Sequence, residues 1–195
     1  MRTTSRVAAL TLSLSVALAT LTACSDDDPP AADPSPTWSP TGTMESPTTS
    51  SAAAPVEPEL PVEATEASEA GARAFIAYYW ELINYAQVTG DVKGLRAASG
   101  KSCEGCNAGL EAIRSLYEGG GHIQGGQYTP VVVKLNRLQG KGLTAFEALL
   151  TVTNVEQVVL DGDGSEHRSA AGSASVAVAC QWSAGTWHME VMDQQ

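Results

Sequence analysis

The sequence lacks the short motifs that mark common hydrolytic and nucleotide-binding sites. It contains no GxSxG nucleophile elbow, no Walker P-loop and no glycine-rich dinucleotide fingerprint. Its three histidines, His122, His167 and His188, do not have the spacing of metal ligands. The sequence therefore does not indicate one of these activities, and it predicts no catalytic residue, no metal site and no cofactor.

Positive charge is absent from a long N-terminal stretch. From Cys24 to Ala70, ten acidic residues stand against no Lys or Arg, and nine of the ten prolines lie there. Because this composition cannot bury enough apolar surface to offset chain entropy, residues 24–66 are predicted to form a disordered acidic stalk rich in Pro, Ser and Thr. The last 125 residues carry twelve acids and nine bases. The domain predicted over residues 67–195 therefore has no basic surface for nucleic acid.

No hydrophobic run is long enough to span a bilayer. The apolar stretch 7–20 falls short of the roughly 20 residues that a spanning helix needs. It follows Arg2 and Arg6 and precedes Leu21-Thr22-Ala23-Cys24, which resembles a bacterial lipobox. The resemblance implies that residues 1–23 are a lipoprotein signal peptide. A lipidated Cys24 would then anchor the chain in the outer leaflet of the cell membrane, on the extracytoplasmic face. The alternative is an ordinary cleaved signal that leaves Cys24 unmodified.

Apolar residues at helical spacing predict that the folded domain begins with a long helix. Thr65 is expected to cap its start and Gly90 to end it. The apolar arc is so wide that the helix is predicted to pack on two sides, with Arg73, Glu81 and Asn84 as its polar back. The first apolar stripe contains Ala72, Phe75, Ile76, Tyr79, Ile83 and Ala86.

Two further helices and then strands are predicted. Asp91 caps a short second helix that Gly100 ends, and Ser102 caps a third whose apolar face contains Cys106, Leu110, Ile113 and Tyr117. Alternation predicts strands over residues 128–137, 172–182 and 187–191, with a bent strand over 143–160. Helices followed by hairpin-linked antiparallel strands define an α+β domain.

The sequence of the first helix from Ala72 to Trp80, followed by the short second helix and the long closing strands, resembles members of the ketosteroid-isomerase-like, or nuclear-transport-factor-two-like, superfamily. That resemblance implies a cone-shaped, cystatin-like roll, in which a curved sheet wraps the first helix and leaves a pocket at the open end. More narrowly, four segments resemble an actinobacterial lipoprotein family known as domain of unknown function 6318. They are Tyr78-Tyr79-Trp80-Glu81, Asn84-Tyr85-Ala86, Thr89-Gly90-Asp91 and Cys103-Glu104-Gly105-Cys106. That family has no assigned activity, so the resemblance implies architecture and location only.

Cys103 and Cys106 are the best candidates for chemistry. Their spacing at a helix N-terminus places the Cα atoms about 5 to 6 Å apart, within disulfide range. A redox pair and a zinc site that includes His122 are alternatives. Because a thioredoxin-like βαβ context is absent and extracytoplasmic pairs are usually oxidised, we expect a structural disulfide. Cys180 alternates with apolar residues and is expected to be a buried thiol, with pairing to Cys103 or Cys106 as the alternative.

The acidic residues are weak candidates for a calcium site or for a general base. Asp161-Gly162-Asp163-Gly164 is interpreted as a hairpin turn, because the spacing of acids in an EF-hand is not met and no helices flank it. An isomerase-like enzyme would need a general base in its pocket. Glu81 lies on the polar back of the first helix, and Glu147 is equally well a solvent-facing strand residue.

Two classes of function remain. The first is a non-catalytic binding domain whose partner is a small apolar ligand, a cell-wall component or a protein. The second is a small pocket enzyme of isomerase or hydrolase type. Tyr78, Tyr79, Trp80 and Tyr85 would suit an apolar pocket wall, although aromatic residues at helical spacing also form plain core. Since no motif pairs a nucleophile with a base, the sequence favours the binding domain.

Overall fold

The computed structural model describes residues 54–195, so the predicted signal peptide, Cys24 and most of the predicted stalk lie outside the described residues. A short 3-10 helix, Val62–Thr65, precedes three α-helices. These are α1 Glu69–Thr89, α2 Lys93–Ala98 and α3 Glu104–Glu118. Seven strands follow: β1 His122–Gly125, β2 Tyr128–Arg137, β3 Ala145–Asn154, β4 Gln157–Leu160, β5 Glu166–Ser169, β6 Gly172–Ser183 and β7 Thr186–Gln194. This order confirms the predicted α+β class, with helices packed on a curved antiparallel sheet.

The strands form two antiparallel sheets. The larger has the order β2-β3-β6-β7 and the smaller the order β1-β4-β5. Only Val155 and Glu156 separate β3 from β4, so the chain passes from one sheet to the other there. The bend predicted within residues 143–160 is confirmed at this point.

Helix α1 begins later than its sequence suggests and ends where predicted. Its N-cap is Ser68, whose Oγ accepts a hydrogen bond of 3.0 Å from the Gly71 amide. The predicted cap, Thr65, instead ends the 3-10 helix, where its hydroxyl donates to the Val62 carbonyl. Gly90 ends α1 in the left-handed conformation, with φ of 74°. A side chain at Gly90 would also collide with the ring of Tyr117 from α3.

The N-caps of α2 and α3 each lie one residue beyond the predicted caps. In α3 the N-cap is Cys103 and not Ser102, because the Cys103 sulfur accepts from the Cys106 amide at 3.2 Å. The Ser102 hydroxyl donates to Glu190 instead. Asp91 accepts from the Lys93 amide at 3.0 Å, although Val92 occupies the cap position of α2.

The core lies between the helices, chiefly α1, and one face of the larger sheet. Phe75 of α1 packs against Tyr79 and against Trp187 of β7, with ring centroids 6.1 and 6.4 Å apart. Inward residues of β3 and β6 alternate with less buried ones and complete this core. Burial of these side chains is the main source of the domain's stability.

The packed domain begins upstream of the predicted boundary at residue 67. Ala64 is buried in the core. The indole nitrogen of Trp187 donates a hydrogen bond of 3.0 Å to the Glu66 carbonyl. Residues 62–66, predicted to belong to the stalk, are thus fixed on the domain.

Candidate ligand-binding cavity

A cavity of about 540 Å³ lies between the helices and both sheets. Its buried side is formed by α1, α3 and the inward faces of β3 and β6, through residues such as Ile83, Leu110, Ile113, Val152 and Val176. Its exposed rim includes Gly109, Ser169 and Gln194. The volume falls in the usual range for small-molecule sites, about 300 to 1,000 Å³.

The lining of this cavity contains no Asp, Glu, Lys, Arg or His among the described residues. The two acids considered from the sequence lie elsewhere. Glu81 is exposed on α1. Glu147 is exposed on β3 and accepts a hydrogen bond of 3.0 Å from Asn136 of β2. Neither carboxylate is therefore placed to act as a base on a molecule in the cavity.

The four aromatic residues proposed for the pocket wall separate into two pairs. Tyr79 and Trp80 line the cavity, whereas Tyr78 and Tyr85 do not. Tyr78 is half-buried, and its pKa is raised by burial and by the nearby negative charges of Glu57 and Glu81. Tyr85 is also half-buried, and its carbonyl accepts from the Thr89 hydroxyl.

The Tyr79 hydroxyl already makes a hydrogen bond within the protein. It lies 2.7 Å from Ser99 Oγ, and the Ser99 hydroxyl donates to the Leu95 carbonyl at 2.8 Å. Because a serine hydroxyl has a single proton, Tyr79 is the donor in this chain. Burial raises the pKa of Tyr79 to about 12, against the lowering effect of the bond to Ser99. Tyr79 is thus a neutral wall of the cavity.

Trp80 and Gln87 add polar atoms to the buried side. Gln87 Oε1 accepts from Gln157 Nε2 at 2.6 Å, which joins α1 to β4. Gln87 Nε2 and Trp80 Nε1 are buried and have no hydrogen-bond partner among the described residues. Sequence reasoning missed Gln87, because a lone glutamine next to an apolar stripe carries no signal of burial.

Asn84 holds Tyr128, at the start of β2, next to Trp80 of α1. It was predicted on the polar back of α1, but the structure places it against the start of β2, where it makes two hydrogen bonds to the backbone of Tyr128. The ring of Tyr128 packs edge-on against Trp80, with centroids 5.5 Å apart. The prediction was wrong because a polar side chain can face the protein interior when the backbone offers it both a donor and an acceptor.

Two glycines of α3 line the cavity for different reasons. A Cβ atom at Gly105 would collide with the main-chain oxygen of Met192, so this glycine lets α3 approach β7. A Cβ atom at Gly109 would meet no atom within 4 Å. Gly109 lies inside a helix, where glycine costs about 0.5 to 1 kcal/mol relative to alanine. Neither backbone conformation nor close packing requires it, and it leaves the rim of the cavity open.

The cysteines are arranged as predicted from their spacing. Cys103 and Cys106 form a disulfide, with Cα atoms 5.2 Å apart. Cys106 also lines the cavity. Cys180 is a buried free thiol, and burial raises its pKa to about 12. A low-pKa, reactive thiol is thus not present among the described residues.

The remaining candidates do not form a metal site. Within residues 54–195, no group of three or more His, Cys, Asp and Glu side chains is placed to hold a metal ion. The histidines lie on separate strands and pair with different partners, His167 with Asp161 and His188 with Ser183. Asp161–Gly164 is a turn between β4 and β5, with the Asp161 amide bonded to the Ser165 carbonyl.

These observations define an α+β domain with an open, uncharged and partly apolar cavity. A family model described as a family of unknown function (DUF6318) matches residues 42–193. The chain therefore belongs to this family. No curated protein matches it. Across residues 54–195, no helix has the length and apolar character needed to cross a membrane.

Three solved structures are similar to this chain at low sequence identity. The intermembrane space region of the chloroplast protein ARC6 is 10% identical, with a TM-score of 0.51 over 65% of this chain and 95% of that one. A periplasmic fragment of TraM is 12% identical, with a TM-score of 0.43 over 66% and 97%. Aln2 from a Streptomyces species is 12% identical, with a TM-score of 0.39 over 70% and 93%. The likeness to the ARC6 region concerns the fold alone.

Proposed function

We propose that this protein is a lipid-anchored lipoprotein on the extracytoplasmic face of the cell membrane, and that its domain binds an uncharged, partly apolar small molecule. The location rests on the sequence around Cys24, since two acyl chains on one cysteine anchor a protein stably. The cone-shaped roll of the nuclear-transport-factor-two-like superfamily is the architecture we assign to the domain. It suits a pocket between a long helix and a curved sheet.

The observation that carries the binding function is the composition of the cavity lining. The cavity is of small-molecule size and lined mainly by apolar and aromatic side chains, with a few amides and no charged group. An ionised ligand would lose its hydration there without meeting an opposite charge, which is costly. An uncharged molecule with an apolar body avoids this cost, so it fits the site better than a charged cell-wall fragment.

The same lining disfavours the enzymatic alternative. General acid–base catalysis needs a group that can hold and release a proton near neutral pH within reach of the substrate. The carboxylates and imidazoles of the described residues lie outside the lining. Ser183 lies 3.3 Å from His188 Nδ1, but this pair belongs to a separate open depression near α2 and has no described carboxylate bonded to the imidazole.

Two fluorescent probes with the same skeleton test this function. N-phenyl-1-naphthylamine is uncharged, and 8-anilino-1-naphthalenesulfonate adds one sulfonate. We expect the chain without the signal peptide and Cys24, residues 25–195, to bind the uncharged probe at least tenfold more tightly in a fluorescence titration. Equal binding of both probes, or binding of neither, would contradict a cavity selective for uncharged molecules.

A further inference from the structure

Two hydrogen-bond donors on the buried side of the cavity have no acceptor. Trp80 Nε1 and Gln87 Nε2 are unpartnered among the described residues, and their side chains are only 5% and 4% exposed. Since roughly nine in ten buried polar groups in native proteins are hydrogen-bonded, two exceptions at one cavity require an explanation.

The two donors share one face of α1. They are seven residues apart, which is close to two helical turns and about 10 Å along the axis. Ile83 lies between them and also lines the cavity. The side chains of Trp80, Ile83 and Gln87 therefore lie in a row along the cavity, with a donor nitrogen on the first and on the last.

Only a hydrogen-bond acceptor can satisfy Trp80 Nε1 or Gln87 Nε2. An indole nitrogen is a donor and never an acceptor. The Gln87 oxygen is already used by Gln157 Nε2, at 2.6 Å, so the free part of this amide is its NH₂ group. The acceptors must be uncharged, because no cation lines the cavity to balance a carboxylate or phosphate.

We propose that the ligand carries two uncharged oxygen acceptors about 10 Å apart on an apolar frame, as a diketone or a diester does, and that Trp80 and Gln87 each donate to one of them. This inference rests on the proposed function. Both nitrogens are covered by protein atoms in this structure, so binding includes a side-chain adjustment that turns each donor to the ligand.

Two molecules of nearly equal shape test the donors. 2,6-Diacetylnaphthalene has two carbonyl acceptors, and 2,6-diethylnaphthalene has none. Their affinities are measured by displacement of N-phenyl-1-naphthylamine from residues 25–195. A neutral hydrogen bond changes affinity by about 2- to 12-fold, so we expect the wild-type chain to prefer the diacetyl compound about tenfold. Trp80→Phe and Gln87→Met should each lower this preference about threefold.

Matched variants outside the cavity serve as controls. Trp182→Phe and Gln181→Met make the same changes at half-buried residues that do not line the cavity, and they should leave the preference unchanged. The ratio of the two affinities is the readout, because partial unfolding lowers both affinities together. If neither naphthalene displaces the fluorescent probe, the proposed function itself fails. If both bind equally to the wild-type chain, or if both cavity variants retain the full preference, the donors do not recognise the ligand.

Discussion

Asn84 and Tyr128 exchange two hydrogen bonds across 44 residues of sequence. Asn84 Nδ2 donates to the Tyr128 carbonyl at 2.9 Å, and the Tyr128 amide donates to Asn84 Oδ1 at 2.8 Å. One side chain thus ties the C-terminal part of α1 to the first residue of β2. Because the Tyr128 ring also packs on Trp80, this pair fixes the distance between two walls of the cavity.

Asn84→Ala should destabilise the domain. The change removes both hydrogen bonds and leaves backbone groups of Tyr128 without partners, which costs about 2 to 3 kcal/mol. Urea denaturation of residues 25–195 measures this loss. Arg73→Ala, on the exposed side of the same helix, removes only a surface ion pair with Glu69 and should cost less than about 0.5 kcal/mol. Equal midpoints for Asn84→Ala and the wild-type chain would show that the tie contributes nothing.

Gly109 offers a test of the cavity that does not disturb the core. Gly109→Ala should raise stability by about 0.5 to 1 kcal/mol, because it lowers the entropy of the unfolded chain and meets no neighbouring atom. It should retain binding of N-phenyl-1-naphthylamine. Gly109→Phe places a ring at the rim and should weaken that binding at least tenfold while the chain stays folded. Full binding by the Phe variant would place the ligand elsewhere.

The buried thiol of Cys180 makes stability depend on alkaline pH. An unfolded cysteine loses its proton near its usual pKa of 9.0, whereas burial holds the pKa of Cys180 at about 12 in the folded chain. The folded state therefore binds more protons above pH 9. This contribution is fully present below pH 9 and is lost as the pH rises towards 12, with a slope that approaches about 1.4 kcal/mol per pH unit.

Cys180→Ala should remove most of this slope between pH 9 and 10; the part that remains comes from tyrosines such as Tyr79, whose pKa is raised from 10.0 to about 12. Urea denaturation at pH 8, 9 and 10 measures the effect. The wild-type thiol should also resist iodoacetamide until the chain unfolds. An identical slope in both chains would show that another group is responsible.

Cys24 is expected to carry the lipid. Cys24→Ala should abolish incorporation of radiolabelled palmitate and release the protein from the membrane fraction, or leave it unprocessed. The same change at Cys180 is the control and should leave labelling intact. Retention of an unlabelled Cys24→Ala chain in membranes would mean that another segment holds it there.

Strong periodic patterns predicted most of the fold. The alternation over residues 128–137 gave β2 with its observed bounds, and the length of the run 143–160 required a bend that the structure places at Val155 and Glu156. The strands β1 and β5 were missed. All four residues of β5 are exposed, so it has no buried face to produce alternation. Such strands form because neighbouring backbone is available to pair with.

The candidate site was harder to predict than the fold. Tyr79 and Tyr78 belong to the same aromatic run, and only the rotation of α1 against the sheets decides which of them reaches the cavity. Gln87 and Asn84 lie among apolar residues, and their partners come from distant strands. Polar contacts of that kind depend on tertiary geometry, which single-sequence periodicity does not contain.

The uncharged lining of the cavity has a consequence for the medium in which the domain works. Dissolved salt weakens attraction between charges, whereas it does not screen contacts between uncharged groups, and some salts strengthen the burial of apolar surface. On the outer face of the membrane, where we propose that the domain stands, the cell does not control ionic strength or acidity. A site that holds its ligand without any ionic attraction would therefore not release it when the surroundings become more saline.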